Sequence, residues 1–288
     1  MIRVFRLLPL LLPVSVALAW PGDNRVILTI DESLAENITR MEIEIEFGFG
    51  EILIERGNPS KAVTGFIQYD DDYLRPSADY ETKGGLARFR FVTKSRHEGW
   101  ETLKMRGMGE PESELYFTTR IPLEVDFSCG LGKANLNLGE LKVADLSIEN
   151  GLGETTLDFS TPNRTDLRRI SVENGLGELV ARNLSNSRAE KLKFDCGLGS
   201  AIIDFRGETM QDMDVDVNVG LGSITLKIPE GYNVIMEADE SFLSSIDTHG
   251  LTSEGRGRYR SRDFRPSQPT LHITTSVGLG SIDINWVD

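Results

Sequence analysis

The amino-acid sequence predicts an all-β fold: a single-stranded β-solenoid, parallel β-helix-like, with coils of about 22 residues, Gly-Leu-Gly corners and a less regular N-terminal β region as cap. Three observations predict it. A Gly-x-Gly corner occurs seven times, five consecutive copies are almost evenly spaced, and every copy is flanked by alternating apolar and polar residues.

The corners are Gly48-Phe49-Gly50, Gly130-Leu131-Gly132, Gly151-Leu152-Gly153, Gly175-Leu176-Gly177, Gly197-Leu198-Gly199, Gly220-Leu221-Gly222 and Gly278-Leu279-Gly280. From the second to the sixth copy the first glycines stand at 130, 151, 175, 197 and 220, so the spacings are 21, 24, 22 and 23. A period of that size is one supersecondary unit of a solenoid, whose coils bury their apolar faces only by stacking. Before the corner the alternation runs through Leu146, Ile148 and Asn150, and through Ile170, Val172 and Asn174; after it, through Thr155, Leu157 and Phe159, and through Ala201, Ile203 and Phe205. Period-two alternation is a strand with one buried face. Each unit is therefore strand, corner, strand, loop. Glycine suits a sharp bend and the close approach of neighbouring coils. The leucine between the glycines is expected to point inward and fill the corner.

The same count addresses the two cysteines. Cys129 and Cys196 occupy one repeat position three coils apart, hence roughly 14 Å at the strand spacing. A disulfide needs Cα atoms within about 7 Å, so two free, buried thiols are expected and no disulfide. Asn150 and Asn174 lie on that column one coil apart, where stacked amides can bond along the stack. The column is read as structural, with no metal or redox role.

Residues 1–19 read as a signal peptide: Arg3 and Arg6, an apolar run from Leu7, and a small-x-small cleavage site at Ala17-Leu18-Ala19. The run is shorter than the roughly 20 apolar residues of a membrane span. An exported protein cleaved near Ala19 is expected, periplasmic or at the cell surface, with no transmembrane segment in the mature chain. Residues 20–122 form the N-terminal domain in this reading, with one early corner and strand-like runs at 63–69, 86–93 and 115–121 between turn-rich stretches, 69–78 among them. Residues 94–113 read as polar loop. Residues 123–288 form the solenoid domain, interrupted at 229–270 by an insertion with a strand at 234–238.

Three segments carry a family resemblance. Residues 42–56 (EIEIEFGFGEILIER), residues 123–159 with their paired corners, and residues 219–288, with GLGSITLKIPEGYNV, a Gly257-x-Tyr259-x-Ser261 stretch and HITTSVGLGSIDINW, together resemble the bacterial toast-rack family, also described as LiaF-like or cell-wall-active antibiotic response proteins. More distantly they resemble the adhesin-like β-solenoid domains. The resemblance implies the β-solenoid fold and either an adhesin-like role or regulation of envelope-stress sensing. LiaF-like regulators of sensor kinases carry transmembrane helices ahead of this domain, which this chain replaces with a signal peptide. The family offers no catalytic residues to carry over.

The residues themselves point away from catalysis. His97, His249 and His272 show no zinc spacing, and no Gly-x-Ser-x-Gly elbow is present. The corners lack the Lys-Ser/Thr ending and the following helix of a phosphate loop. Asp70-Asp71-Asp72 reads as a solvated acidic turn rather than a calcium site. Asp158, Arg182, Asp204, Lys227 and Asp283 are expected to face outward, mixed and scattered, where a polysaccharide-cleaving enzyme needs paired acids. No cofactor, metal or catalytic residue is expected. With 45 acidic against 31 basic residues the formal charge is -14, which disfavours nucleic acid as partner. One basic cluster stands out. Arg256, Arg258, Arg260 and Arg262 alternate, and on a strand they would line one face. Such a stripe suits an anionic envelope polymer or lipid headgroup, or an envelope protein; the plainer reading is that neighbouring acids neutralise it.

Overall fold

A computed structural model describes residues 25–96, 111–208, 210–240 and 244–288. The predicted signal peptide, most of the predicted 94–113 loop and His97 lie outside the described residues. Seven long strands, β2 (Arg40–Arg56), β7 (Leu123–Asn137), β8 (Val143–Asp158), β9 (Leu167–Arg182), β10 (Ala189–Asp204), β11 (Met213–Pro229) and β16 (Thr270–Val287), each carry one corner. They pair parallel and in register: Phe49, Leu131, Leu152, Leu176, Leu198, Leu221 and Leu279 are successive partners. The fold is the all-β solenoid that the repeats predict. The sheet also crosses position 122 without a break, because β2 pairs with β7 along most of its length.

Each long strand bends at its corner, so one strand supplies two walls of its coil. Inward residues of both walls form one contiguous core from Ile30 to Ile284, and loop residues such as Leu138, Phe159, Leu184 and Phe205 pack into it. Buried asparagines hold the loops. Asn163 donates through Nδ2 to the Val143 and Ser187 carbonyls and accepts from the Val143 amide, while Asn186 donates to the Phe159 carbonyl. Such partners satisfy backbone groups that would otherwise be buried unpaired.

The corner glycines are dictated by the stack. A Cβ on Gly177 would lie 2.0 Å from the Gly153 carbonyl oxygen, at a φ of +158°; one on Gly175 would lie 2.8 Å from the Gly151 oxygen. The leucines, however, do not fill the corner. Leu152, Leu176, Leu198, Leu221 and Leu279 are 45–51% exposed and point out of the solenoid, contrary to the sequence reading. The reason lies in the phase of the alternation. Asn150 and Thr155 are both buried and stand five residues apart, an odd interval that plain alternation forbids. The bend absorbs the phase change. Its interior is already occupied by the column before it (Cys129, Asn150, Asn174, Cys196, Val219, Val277) and the column after it (Ala134, Thr155, Leu179, Ala201, Ile224, Ile282). Leucine is left at the convex apex.

At the N-terminal end the two walls separate and continue independently. On the first wall β5 (Leu86–Ser95) pairs parallel with β2, and β4 (Leu74–Lys83) pairs antiparallel with β5. On the second wall β6 (Glu112–Phe117) pairs with β2, followed by β3 (Lys61–Asp70) and β1 (Arg25–Ser33). Phe89 meets Phe117 edge to face across the gap, ring centroids 5.7 Å apart. Within the stretch read as turn-rich, only the turn at 71–73 is one; β4 begins at Leu74 and alternates, with Leu74, Pro76, Ala78 and Tyr80 turned inward, while Pro76, which suits an edge strand, and the acidic turn before it make the stretch read as loop.

At the C-terminal end, chain order and spatial order differ. β12 (Asn233–Glu240) and β13 (Ser244–Ile246) precede β16 in sequence but pair on its outer side, so β16 lies between β11 and β12. A hairpin of β14 (Leu251–Gly255) and β15 (Arg258–Ser261) then extends the first wall beyond β12.

Candidate functional site

The arginine cluster lies on this terminal hairpin. The strand is shorter than the alternation: Arg256 and Gly257 form the turn, with φ of +54° and +74°, and Arg262 follows the end of β15. Only Arg258 and Arg260 share a strand. Arg258 pairs with Glu237 at 2.8 Å; Arg260 lies 3.6 Å from Glu254 and stacks 4.2 Å over the Phe264 ring. Arg256 and Arg262 are exposed and carry no ion pair among the described residues. Arg256 and Arg258 line a shallow groove of about 330 Å³ with Glu237, Asp239 and Thr274. The Gly-x-Tyr-x-Ser stretch anchors the hairpin. A Cβ on Gly257 would meet the Ala238 oxygen at 2.3 Å, and Ser261 Oγ accepts from the Val234 amide at 2.6 Å and donates to the Val234 carbonyl at 3.3 Å.

The scattered outward charges sit as expected except Asp204. It is buried and held by the Arg206 guanidinium, which donates to both of its oxygens. Asp70 accepts from the Asp72 amide in a turn, and Asp71 pairs with Arg96 at 2.7 Å. A larger groove, about 690 Å³, runs over the first wall near the N-terminal end. Acids on β2 and β7 stand opposite each other there, Glu42 by Glu124 and Glu44 by Asp126. Arg88 pairs with Glu42 at 2.7 Å, Arg90 with Glu44 at 3.0 Å and also with Glu46, and Arg168 with Asp145 at 2.9 Å. Shielding between the strands, then the Glu44 and Glu46 carboxylates, raises the Asp126 pKa. With Glu44 tied to Arg90 and half-exposed, this is a solvated mosaic of charge.

Inside the corner, Asn150 Nδ2 donates to Asn174 Oδ1 at 2.8 Å, the bond along the stack that the repeat register predicts. Cys129 and Cys196 flank this pair as free, buried thiols, and burial pushes both up to about 11. So high a value keeps them protonated and unreactive near neutral pH.

The surface that sequence reading missed is the leucine file. Its signal was present: the five-residue interval between the two inward columns leaves no inward position for the residue between the glycines. Phe49 and Leu131 are half-buried and the other five leucines half-exposed, forming a ridge about 29 Å long at about 4.8 Å per rung. Its flanks change along the stack. Glu149, Glu154, Glu173 and Glu178 border Leu152 and Leu176; Asp195, tied to Lys193 and Asn218, and Ser200 border Leu198; and Asn218, Ser223, Ser276 and Ser281 border Leu221 and Leu279.

Comparison with known proteins places the chain by family. No curated protein matches it. Among solved structures, a candidate cell adhesion protein from Clostridium sporogenes is 18% identical, with a TM-score of 0.47, covering 91% of this chain and 99% of its own. A candidate adhesin from Bacteroides fragilis is 12% identical, with a TM-score of 0.42, covering 90% of this chain and 96% of its own. Residues 23–182, which hold β1 to β9, match the family described as the N-terminal domain of toast_rack, DUF2154, and the chain belongs to that family.

Proposed function

We propose that this protein is a non-enzymatic, exported binding and structural module of the cell envelope, adhesin-like in that it works by surface contact. The observation that carries this reading is the leucine file. Half-exposed leucines in one continuous row mark a contact surface rather than scattered surface residues. The arginine hairpin supports a second contact, since Arg256 and Arg262 are free to reach phosphate or carboxylate groups of an anionic polymer. Export rests on the signal-peptide pattern of residues 1–19. The alternative, a regulatory partner in envelope-stress sensing, draws its support from the family and would use the same ridge against an envelope protein.

The test is retention of the purified chain on its native envelope fraction. L152S/L176S and R256Q/R262Q are each expected to lower retention at least tenfold while leaving the circular dichroism spectrum unchanged. Retention equal to that of the unaltered chain for both variants would remove the reading.

A further inference from the structure

We infer that the outer edge of β1 is a pairing surface for β1 of a second copy, antiparallel, about a two-fold axis through Leu28. It is a different surface from the leucine file and does not depend on it.

The kind of occupant follows from the backbone. Among the described residues, β1, β4, β13 and β14 each have a strand on one side only. Such an edge presents a row of N–H and C=O groups, and another strand is what matches them. Three of the four edges are blunted. β4 carries Pro76 among Arg75, Asp79, Glu81 and Lys83. β13 is three residues long, and β14 is five long with a register shift between Ser253 and Gly255. β1 has none of these devices. It is nine residues long, and its ladder with β3 is regular from Arg25 to Glu32. Between Arg25 and Asp31 it reads Val-Ile-Leu-Thr-Ile, uncharged and mostly β-branched. Of the four edges only β1 offers both length and an unbroken ladder, so the edge that matches it is β1 of a second copy.

Symmetry and charge select the register. A two-fold axis normal to the sheet keeps core-side residues of one copy opposite core-side residues of the other. Val26, Leu28 and Ile30 form the core-side set: Ile30 is buried, and Leu28 packs on the core opposite buried Ile67 of β3. The axis must therefore pass through a residue and not between two. Centred on Leu28, the pairing sets Arg25 against Asp31, Val26 against Ile30 and Ile27 against Thr29, each twice. Centred on Thr29 it would set Val26 against Glu32 and Ile27 against Asp31; centred on Ile30, Leu28 would meet Glu32. Centred on Ile27 the overlap would end with Arg25 against Thr29. Only the Leu28 register places charge on opposite charge and apolar on apolar. Asp31 holds Lys61 at 2.7 Å with its side chain 59% exposed, which leaves it accessible to a second cation.

The paired stretch, Arg25 to Asp31, is short, so the dimer is weak, with a dissociation constant on the order of 100 μM. Sedimentation of the exported chain over a concentration series is expected to show a monomer–dimer equilibrium. R25D and D31R each set like charges against each other twice and are each expected to weaken it about tenfold, with the circular dichroism spectrum unchanged. An equimolar mixture of the two is expected to restore pairing as a heterodimer, because both charge pairs are then opposite in sign. That rescue separates a lost contact from a damaged fold. A chain that stays monomeric throughout, a dimer as tight in both variants as in the unaltered chain, or variants that fail to rescue each other overturns the inference. A dimer lost in L198S/L221S but kept in R25D assigns the contact to the leucine file and likewise overturns it.

Discussion

The glycine columns and the leucine file lie side by side on the same seven strands, yet different forces place them. From the second corner on, every corner glycine is required by the rung before it, whose glycine carbonyl oxygen occupies the space of a Cβ. The leucine between them touches no such constraint and stands half-exposed at the apex. Recurrence in a repeat therefore has two origins here. The glycines recur because the backbone stack leaves no alternative, and the leucines recur at a position where folding alone does not ask for an apolar residue.

The contrast can be broken most severely at a glycine. Gly177→Ala should cost about 3–5 kcal/mol, because the new Cβ meets backbone rather than a flexible side chain and the φ is one that L-residues rarely adopt. Chemical denaturation measures this, and a loss below about 1 kcal/mol would show that the rungs can part at little cost. A middle-sized effect is expected one residue inward from the corner. Asn174→Ala removes the one side-chain partner of the Asn150 amide, whose Oδ1 already lacks one, and should cost about 2 kcal/mol. The double variant N150V/N174V removes both amides and should come within about 1 kcal/mol of the unaltered chain. Equal losses in the single and double variants would mean that the pair contributes packing and not hydrogen bonding. The smallest effect on stability belongs to the file: Leu152→Ser should stay within about 0.5 kcal/mol. A larger loss would place that leucine among the folding determinants and erase the distinction.

Much of the fold was legible. Alternation on either side of each corner is a local signal, and seven repetitions fixed which positions face inward. Spacing placed Asn150 next to Asn174 and kept Cys129 three rungs from Cys196. The edge strands were less legible. β4 alternates through Leu74, Pro76, Ala78 and Tyr80, but Pro76 and the acidic turn just before it give the stretch the look of a loop. The arginine cluster was legible as a cluster but not as a site, because its neutralising acids, Glu237 and Glu254, come from a neighbouring strand and from the hairpin's other arm.

By itself the sequence determined the coil, its period, its glycines and its buried columns, since each follows from a short pattern repeated under one stacking constraint. Only the tertiary structure decided three things. It set the direction of the leucines, because the phase of the alternation changes within the bend. It set the place of the last repeat, because β16 matches β11 along its whole length and displaces β12, made earlier, to the outside. It divided the four arginines between a turn, a paired strand and a free end, because the hairpin closes at Gly257, where the chain passes close to the Ala238 carbonyl. In all three the outcome depends on contacts between segments far apart in the chain, which no local pattern records.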